Sequence, residues 1–225
     1  MIEIQNLTKS VKGQNIEIDK LKFSNGETVM LTGHLNSCFE ILSAILCGRI
    51  KKDAGVIQIT GFESGDFQSL EDSGYFDLDS YRIPHTNVKN MIWNVAKLKK
   101  INENILSSRI VWFENYFPLK QYFSKTPEKC SATTYSIIDL FLATLIRPGL
   151  IVYRDPFSLL PFELHKKFVM LLNWLKENGS VNIITTTDPQ RYKNLTDRML
   201  VMRKGRIVFD GHYENYDWQE LSNGV

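Results

Sequence analysis

The sequence predicts an α/β domain with a mixed, mainly parallel sheet, an antiparallel N-terminal β subdomain and a helical subdomain. Compact apolar strand segments alternate with helical segments, which is typical of parallel sheets. Period-two patterns at both ends of the chain indicate antiparallel hairpins, and a central stretch has helical spacing. The 225 residues, 43% of them hydrophobic and 23% charged, fit one globular domain that needs no disulfide staples.

The N-terminal third supplies the first strands and one helix. Apolar residues alternate on either side of "VKGQN" (11–15), which predicts two strands joined by a turn. The apolar run "ETVMLTG" (27–33) indicates a buried strand. A helix is predicted over Cys38–Cys47, with Asn36 or Ser37 able to cap its N-terminus, and a strand over Ala54–Gly61.

The central segment is predicted to be helical and rich in aromatic residues. Apolar residues over Thr86–Ile101 recur at helical spacing. Residues 110–123 carry six aromatic side chains in 14 positions. Two interpretations of them stay open: an aromatic core, or a surface that contacts a partner. The apolar run Ser136–Ile146 predicts a buried helix that is too short to span a membrane.

The C-terminal third completes the alternation. Buried strands are predicted over residues 150–157 and 181–189, on either side of an amphipathic helix over Pro161–Gly179. A hairpin over Met199–Gly211 turns at Lys204–Gly205.

Charge and spacing argue against several function classes. The formal net charge of +2 is too balanced to favour nucleic-acid binding. The three cysteines and four histidines show no metal-ligand spacing, so no metal site is expected. The start of the chain shows no signal-peptide pattern, and we expect a cytoplasmic protein.

Five segments together resemble the nucleotide-binding domain of ABC transporters. They are "MIEIQNLTK", "NGETVMLTG", "DAGVIQITG", "SGYFDLDSYRIPHTNVKNMIWNVAKL" and "DRMLVMRKGRIVFDG". The resemblance implies a P-loop NTPase-like fold in which residues 1–225 form one domain, with a helical subdomain inserted at about 78–146. It also implies docking to a multi-span membrane permease, a place at the inner face of the membrane through such partners, and a homodimer or heterodimer with an ABC ATPase subunit.

The phosphate-binding loop of that family departs from its pattern here. The family motif G-x-x-x-x-G-K-[ST] becomes "GHLNSCFE", in which the first glycine, Gly33, remains. The lysine position holds Phe39 and the metal-binding hydroxyl position holds Glu40. The degenerate nucleotide-binding positions are Gly33, Asn36, Ser37, Cys38, Phe39 and Glu40.

The other family motifs depart as well. In the Walker B segment "LIVYRDPF", Arg154 replaces the metal-holding aspartate and Asp155 the catalytic glutamate. The signature becomes "CSATT", with Ser131, Ala132 and Thr133. The switch histidine falls at Thr187. The metal-sensing glutamine falls near Leu78, the base-stacking aromatic near Val11 and the dimer-contact aspartate at Pro161.

Glu40 and Arg154 carry opposite charges at two positions that face one metal in the resembled family. We hypothesise that they form a salt bridge there and that Phe39 helps to fill the phosphate cavity. Independent drift of two surface residues is the alternative. Asp155 is more typical of a turn or cap, Ser131 of a helix cap, and Thr185–Thr187 of a strand end.

Three functions follow from the resemblance and its departures. The first is a catalytically inactive ABC-type subunit that docks to a permease through its aromatic-rich helical insert and pairs with an active paralogue. The second is a soluble scaffold or regulatory protein that reuses the fold. The third is a working ATPase with displaced chemistry. ATP and Mg²⁺ are expected as cofactors only under the third.

Overall fold

Two sheets organise the fold. The computed structural model describes residues 1–33, 37–60, 70–77 and 86–218. The strands of these residues are Ile2–Val11 (β1), Gln14–Phe23 (β2), Thr28–Gly33 (β3), Ala54–Ile59 (β4), Gly74–Phe76 (β5), Leu150–Arg154 (β6), Val181–Thr186 (β7), Arg198–Arg203 (β8) and Arg206–Gly211 (β9). The helices are Phe39–Leu46 (α1), Val88–Leu98 (α2), Glu103–Glu114 (α3), Ala132–Thr144 (α4), Pro156–Leu159 (α5) and Phe162–Glu177 (α6).

The smaller sheet is antiparallel and has the order β2-β1-β4. The larger sheet has the order β5-β6-β7-β3-β8-β9, in which β9 alone pairs in the antiparallel sense. The predicted mixed, mainly parallel sheet and antiparallel N-terminal subdomain are therefore confirmed. The central parallel strands are buried along their length because layers cover both faces of the sheet.

A separate hydrophobic core lies on each face of the larger sheet. One core joins that sheet to the antiparallel sheet and to α1. The other packs α2, α3, α4 and α6 on the opposite face. Both cores are continuous with the central strands, so the loops at the strand ends are held by packing from two sides.

The aromatic segment 110–123 belongs to the second core. Phe113 and Phe117 are fully buried, and the remaining four aromatic side chains are partly buried against the same core. Phe113 stacks on Phe117 with ring centroids 5.2 Å apart. The aromatic-core interpretation is therefore confirmed for Phe113 and Phe117, because these rings supply apolar area that this core buries. A partner surface formed by the four partly buried rings stays a prediction.

The start of α1 also differs from the prediction. The helix begins at Phe39, and its N-cap residue is Cys38, whose side chain makes no capping hydrogen bond. Ser37 lies one residue too early to cap, and Asn36 lies outside the described residues. Cys38 has a left-handed backbone with φ 66°, a conformation that glycine adopts without strain.

Candidate functional site

The carboxyl ends of the parallel strands bring the sequence-predicted site residues to one edge of the sheet. The loop after β3 begins at Gly33, Asp77 follows β5, Arg154 ends β6, and Thr187 follows β7. In the register of β5 with β6, Phe76 lies opposite Tyr153. Asp77 and Arg154 are therefore neighbours across the two strands. Ligands of open α/β sheets bind at this edge.

The loop after β3 is packed tightly where it can be described. A Cβ atom on Gly33 would lie 2.4 Å from the Met202 carbonyl oxygen and 2.6 Å from Ser37 Oγ, so only glycine fits there. Ser37 is buried, and its Oγ has no hydrogen-bond partner among the described residues. The Ser37 carbonyl accepts a hydrogen bond from the Gly205 N–H at 3.2 Å. The β8–β9 turn is thus hydrogen-bonded to the loop after β3.

Phe39 and Glu40 occupy opposite environments in the first turn of α1. The Phe39 side chain is 5% exposed and belongs to the core beneath the sheet. Glu40 is exposed, where its negative charge favours the helix N-terminus. Partial burial raises the pKa of the Cys38 thiol, and the Glu40 carboxylate raises it further. The thiol is therefore held in its neutral form.

Arg154 pairs with Asp77, and the hypothesised salt bridge to Glu40 is wrong. Arg154 Nη1 lies 3.3 Å from Asp77 Oδ2, and the ion pairs of the described residues include none between Arg154 and Glu40. Partial burial alone would lower the pKa of Arg154, but the Asp77 carboxylate outweighs it and the pKa is raised. Glu40 adds the weakest of these electrostatic effects. Arg154 pairs with Asp77 and not with Glu40 because the register of β5 with β6 places Asp77 beside Arg154.

Asp77 is the centre of a cluster of four side chains, the Asp77 cluster, formed by Arg49, Tyr75, Asp77 and Arg154. Asp77 is 6% exposed and accepts a hydrogen bond from the Tyr75 hydroxyl at 3.2 Å. Arg49 Nη1 lies 3.9 Å from Asp77 Oδ2, and the Arg49 guanidinium lies 4.7 Å from the centroid of the Tyr75 ring. The cluster ties the segment after α1 to the ends of β5 and β6.

Sequence reasoning missed Asp77 and Arg49. Strand β5 has three residues, too few for a periodicity signal, so nothing marked Asp77 as the residue that follows a strand. The usable signal was the pair "YF" followed by an acid, which fits a short buried strand ending at the carboxyl edge of the sheet. No sequence pattern marked Arg49 as a site residue. It reaches Asp77 only because the chain turns after α1, and that turn is set by the fold.

Asp155 is held by hydrogen bonds within the chain. Its N–H donates to the Thr185 carbonyl at 2.8 Å. Its carboxylate accepts from the Ser158 hydroxyl at 2.7 Å and from the Tyr192 hydroxyl. Arg191 Nη1 lies 3.8 Å from Asp155 Oδ1 and donates to Ser158 Oγ at 2.7 Å. These contacts confirm the turn role of Asp155, at the N-cap position of α5.

Burial raises the pKa of the Tyr192 hydroxyl, and its hydrogen bond to Asp155 adds to the effect. Tyr192 therefore stays protonated as a donor, and its oxygen also accepts from the Phe157 N–H at 2.8 Å. The two contacts join β6, α5 and the segment after β7 into one unit.

The signature-like residues form a helix start. Ser131 is the N-cap of α4, and its hydroxyl accepts a hydrogen bond from the Thr134 N–H at 3.2 Å, as the cap prediction requires. Ala132 and Thr133 are the first two residues of the helix. They present side chains where the resembled family has glycines.

The remaining sequence-predicted positions lie apart from the Asp77 cluster. Thr187 is exposed just past the end of β7, and Thr185 and Thr186 are the buried last residues of that strand, as predicted. Pro161 is the N-cap residue of α6, and Val11 is the last residue of β1. Leu78 lies outside the described residues.

Comparison of the sequence with known proteins finds distant relatives among ATP-binding proteins of import systems. No family model matches the chain. It is 21% identical over 227 residues to the molybdate/tungstate import ATP-binding protein WtpC of Pyrococcus abyssi, covering 100% of this chain and 66% of WtpC. It is 25% identical over 236 residues to the spermidine/putrescine import ATP-binding protein PotA of Treponema pallidum, covering 94% of this chain and 60% of PotA. Its homologues are ABC transporter ATP-binding subunits.

Solved structures show the same fold. One, described as the structure of the ATP binding subunit of an ABC transporter, superposes with a TM-score of 0.84 at 18% identity, over 99% of this chain and 98% of that one. A second, cbiO1 from Clostridium perfringens, part of the ABC transporter complex cbiONQ, has a TM-score of 0.74 at 18% identity, over 94% and 88% of the two chains. The chain therefore has the fold of these ABC transporter ATP-binding subunits.

The chain spans less than two thirds of the length of WtpC and PotA. None of the helices in the described parts of the chain has the length and hydropathy to cross a membrane.

Proposed function

We propose that this chain is a catalytically inactive ABC-type subunit of a membrane transport complex. The observation that carries the proposal is the Arg154–Asp77 ion pair. The resembled family places a metal-holding aspartate at position 154, whereas this chain places a guanidinium there and pairs it with a carboxylate of its own. A cation fixed at that point repels a second cation, so the residues present do not fit Mg²⁺ bound to ATP.

The phosphate side of the site supports the same proposal. Phe39, at the lysine position, is buried in the core and offers no charge to a phosphate. Glu40 places an exposed carboxylate where the triphosphate would approach. Charge-assisted hydrogen bonds contribute about 1.5–3 kcal/mol each. Losing three of them and the base-stacking contact removes ~6 kcal/mol, which is more than ~10,000-fold in affinity.

The position of the catalytic base supports it too. Asp155 already accepts hydrogen bonds from Ser158 and Tyr192 and lies near the Arg191 guanidinium. A carboxylate held in this way is positioned by the chain and not by an attacking water, because both of its oxygens already accept hydrogen bonds. Catalysis of phosphoryl transfer depends on positioned cations and an oriented nucleophile, and this chain supplies neither from the positions that match the family.

We further propose that the helical region, at about 78–146, receives a multi-span permease. Phe113 and Phe117 are fully buried and cannot contact a partner, whereas the other four aromatic side chains of residues 110–123 are partly buried. A large aliphatic side chain, that of Val111 on α3, does lie exposed in this region. The second subunit of the complex is a competent ABC ATPase that contributes its own Walker motifs. This arrangement keeps the chain at the inner face of the membrane through its partners.

Nucleotide binding to the purified chain tests the proposal. We expect no shift in melting temperature with millimolar Mg-ATP and no phosphate release. The energy-coupling factor transporter ATP-binding protein EcfA1 of Ligilactobacillus salivarius, a relative at 23% identity, serves as the positive control in both assays. A saturable ATP-dependent rise in melting temperature would contradict the proposal and favour displaced ATP chemistry instead.

Docking is tested separately, by expressing the tagged chain in its native host and asking whether it sediments with membranes and elutes with one multi-span protein. A chain that stays in the supernatant as a monomer would favour the scaffold alternative.

A further inference from the structure

The turn between α2 and α3 presents an apolar side chain among cations. Leu98, the last residue of α2, is 80% exposed. Lys97 precedes it, and Lys99 and Lys100 follow it, all with exposed side chains. An exposed leucine that is flanked by lysines on a protruding turn is typical of surfaces that enter the interfacial region of a bilayer.

A small basic cavity lies next to this turn. It has a volume of about 190 Å³ and is lined by the cations Lys99, Lys100 and Arg109, by the acid Asp72, and by apolar side chains that include Ile101 and Ile105. A cavity of this size accepts a single small anionic group.

Arg109 adds a further cation to the lining of the cavity. Its Nη1 atom is buried and has no hydrogen-bond partner among the described residues. Because that atom is buried, a group in the cavity meets the positive charge of Arg109 and not a hydrogen bond from Nη1.

We propose that this site, defined by Lys97, Leu98, Lys99, Lys100 and Arg109, binds a phosphate-bearing lipid headgroup at the surface of an anionic bilayer. The cavity takes the phosphate, which lies among the cations Lys99, Lys100 and Arg109. Lys97 and Lys100 contact neighbouring headgroups, and Leu98 enters the interface between them. Among the described side chains of this site, the four cations outnumber the acids Asp72 and Glu103, so this part of the surface suits an anionic partner.

A bilayer suits this geometry better than an acidic protein segment does. The exposed apolar residue of this turn is a single leucine, whereas an amphipathic helix requires a groove for its apolar face. The inference does not depend on the nucleotide site, and it stands or falls separately from the absence of ATP binding.

Sedimentation with large unilamellar vesicles tests the proposal with the full chain. We expect binding to vesicles of equimolar phosphatidylglycerol and phosphatidylcholine, little binding to pure phosphatidylcholine, and weaker binding as salt rises. Equal binding to both compositions would overturn it. Release of the chain from vesicles by inorganic phosphate would show that the cavity binds free phosphate. The proposal that its ligand is a lipid headgroup would then be wrong. Binding to polyglutamate in place of vesicles would assign the surface to an acidic protein.

Variants at exposed positions distinguish the contribution of this site to vesicle binding from that of the protein's overall positive charge. Each surface cation contributes about fivefold to partitioning, so the double variant Lys97→Gln/Lys100→Gln should bind anionic vesicles about thirtyfold more weakly. Leu98→Ser should weaken binding about tenfold by removing the inserted side chain. The matched control is Lys51→Gln/Lys52→Gln, which removes the same charge from another exposed segment.

Arg109→Gln tests the cavity itself, and its melting temperature reports whether it folds. We expect it to bind anionic vesicles about fivefold more weakly, which is the contribution of one cation, and to keep the remaining binding through the lysines. If the control pair weakens binding as much as the Lys97/Lys100 pair, or if Leu98→Ser has no effect, the proposal is wrong.

Discussion

Replacing Asp77 with alanine should destabilise the fold more than replacing any surface carboxylate. Asp77 is almost fully buried, and the change removes its hydrogen bond from Tyr75 and its ion pairs with Arg154 and Arg49. A hydrogen bond to a charged acceptor contributes about 1.5–3 kcal/mol. The arginine side chains are 57% and 49% exposed, so each ion pair is screened and adds about 0.2–1 kcal/mol. The expected loss is about 2–5 kcal/mol.

Urea unfolding followed by tryptophan fluorescence measures this loss in the free energy of unfolding. Glu17→Ala is the matched control, because Glu17 pairs with Arg206 at a distance of 2.5 Å but both side chains are mostly exposed. That variant should lose less than about 1 kcal/mol. A double-mutant cycle of Asp77→Ala with Arg154→Ala should give a coupling energy below about 1 kcal/mol, with most of the Asp77 effect remaining.

The reasoning fails if Asp77→Ala costs no more than Glu17→Ala. It also fails if Arg154→Ala alone costs as much as Asp77→Ala, because the Tyr75 hydrogen bond would then contribute nothing.

Three further outcomes test other parts of the structure. Burial, assisted by the Asp77 carboxylate, raises the pKa of Tyr75 from 10.0 to about 12. The unfolded chain loses this proton first, so stability should fall as pH rises from 10 towards 12, and less steeply in Tyr75→Phe. Gly205→Ala should cost about 1–3 kcal/mol more than Gly179→Ala, because both have left-handed φ but only a Cβ at 205 meets a backbone oxygen, that of Asn15. Thermal melts compare the pair. Ser131→Ala should cost about 1 kcal/mol in urea unfolding by removing the α4 cap, whereas Ser131→Asn should keep it.

Much of the fold could be predicted because its elements have strong periodic signals. The β1–β2 hairpin and the buried strands β3, β6 and β7 follow from apolar patterns that persist over five or more residues. The capping role of Ser131 followed from local chemistry alone, since a cap bonds within three residues. The start of α1 was misplaced, because Cys38 adopts a left-handed conformation that no local rule assigns to cysteine.

The candidate site was only partly predictable because its contacts depend on strand register. The sequence singled out Glu40 and Arg154 as charges that might compensate each other, and the correct partner, Asp77, lies 77 positions from Arg154 in the chain. The burial of the aromatic segment likewise depended on how α3 and α4 pack, which composition does not encode.

The sequence by itself determined which chemical groups stand at each family position: no lysine for the phosphates, an arginine in place of a metal-holding aspartate, and side chains in place of signature glycines. Those identities are local, so no folding can alter them. Only the tertiary structure decided which groups meet. Parallel pairing of β5 with β6 brought Asp77 to Arg154, and the turn after α1 added Arg49. Partnerships of this kind depend on register and packing between segments distant in the chain, and for that reason they appear only in the folded protein.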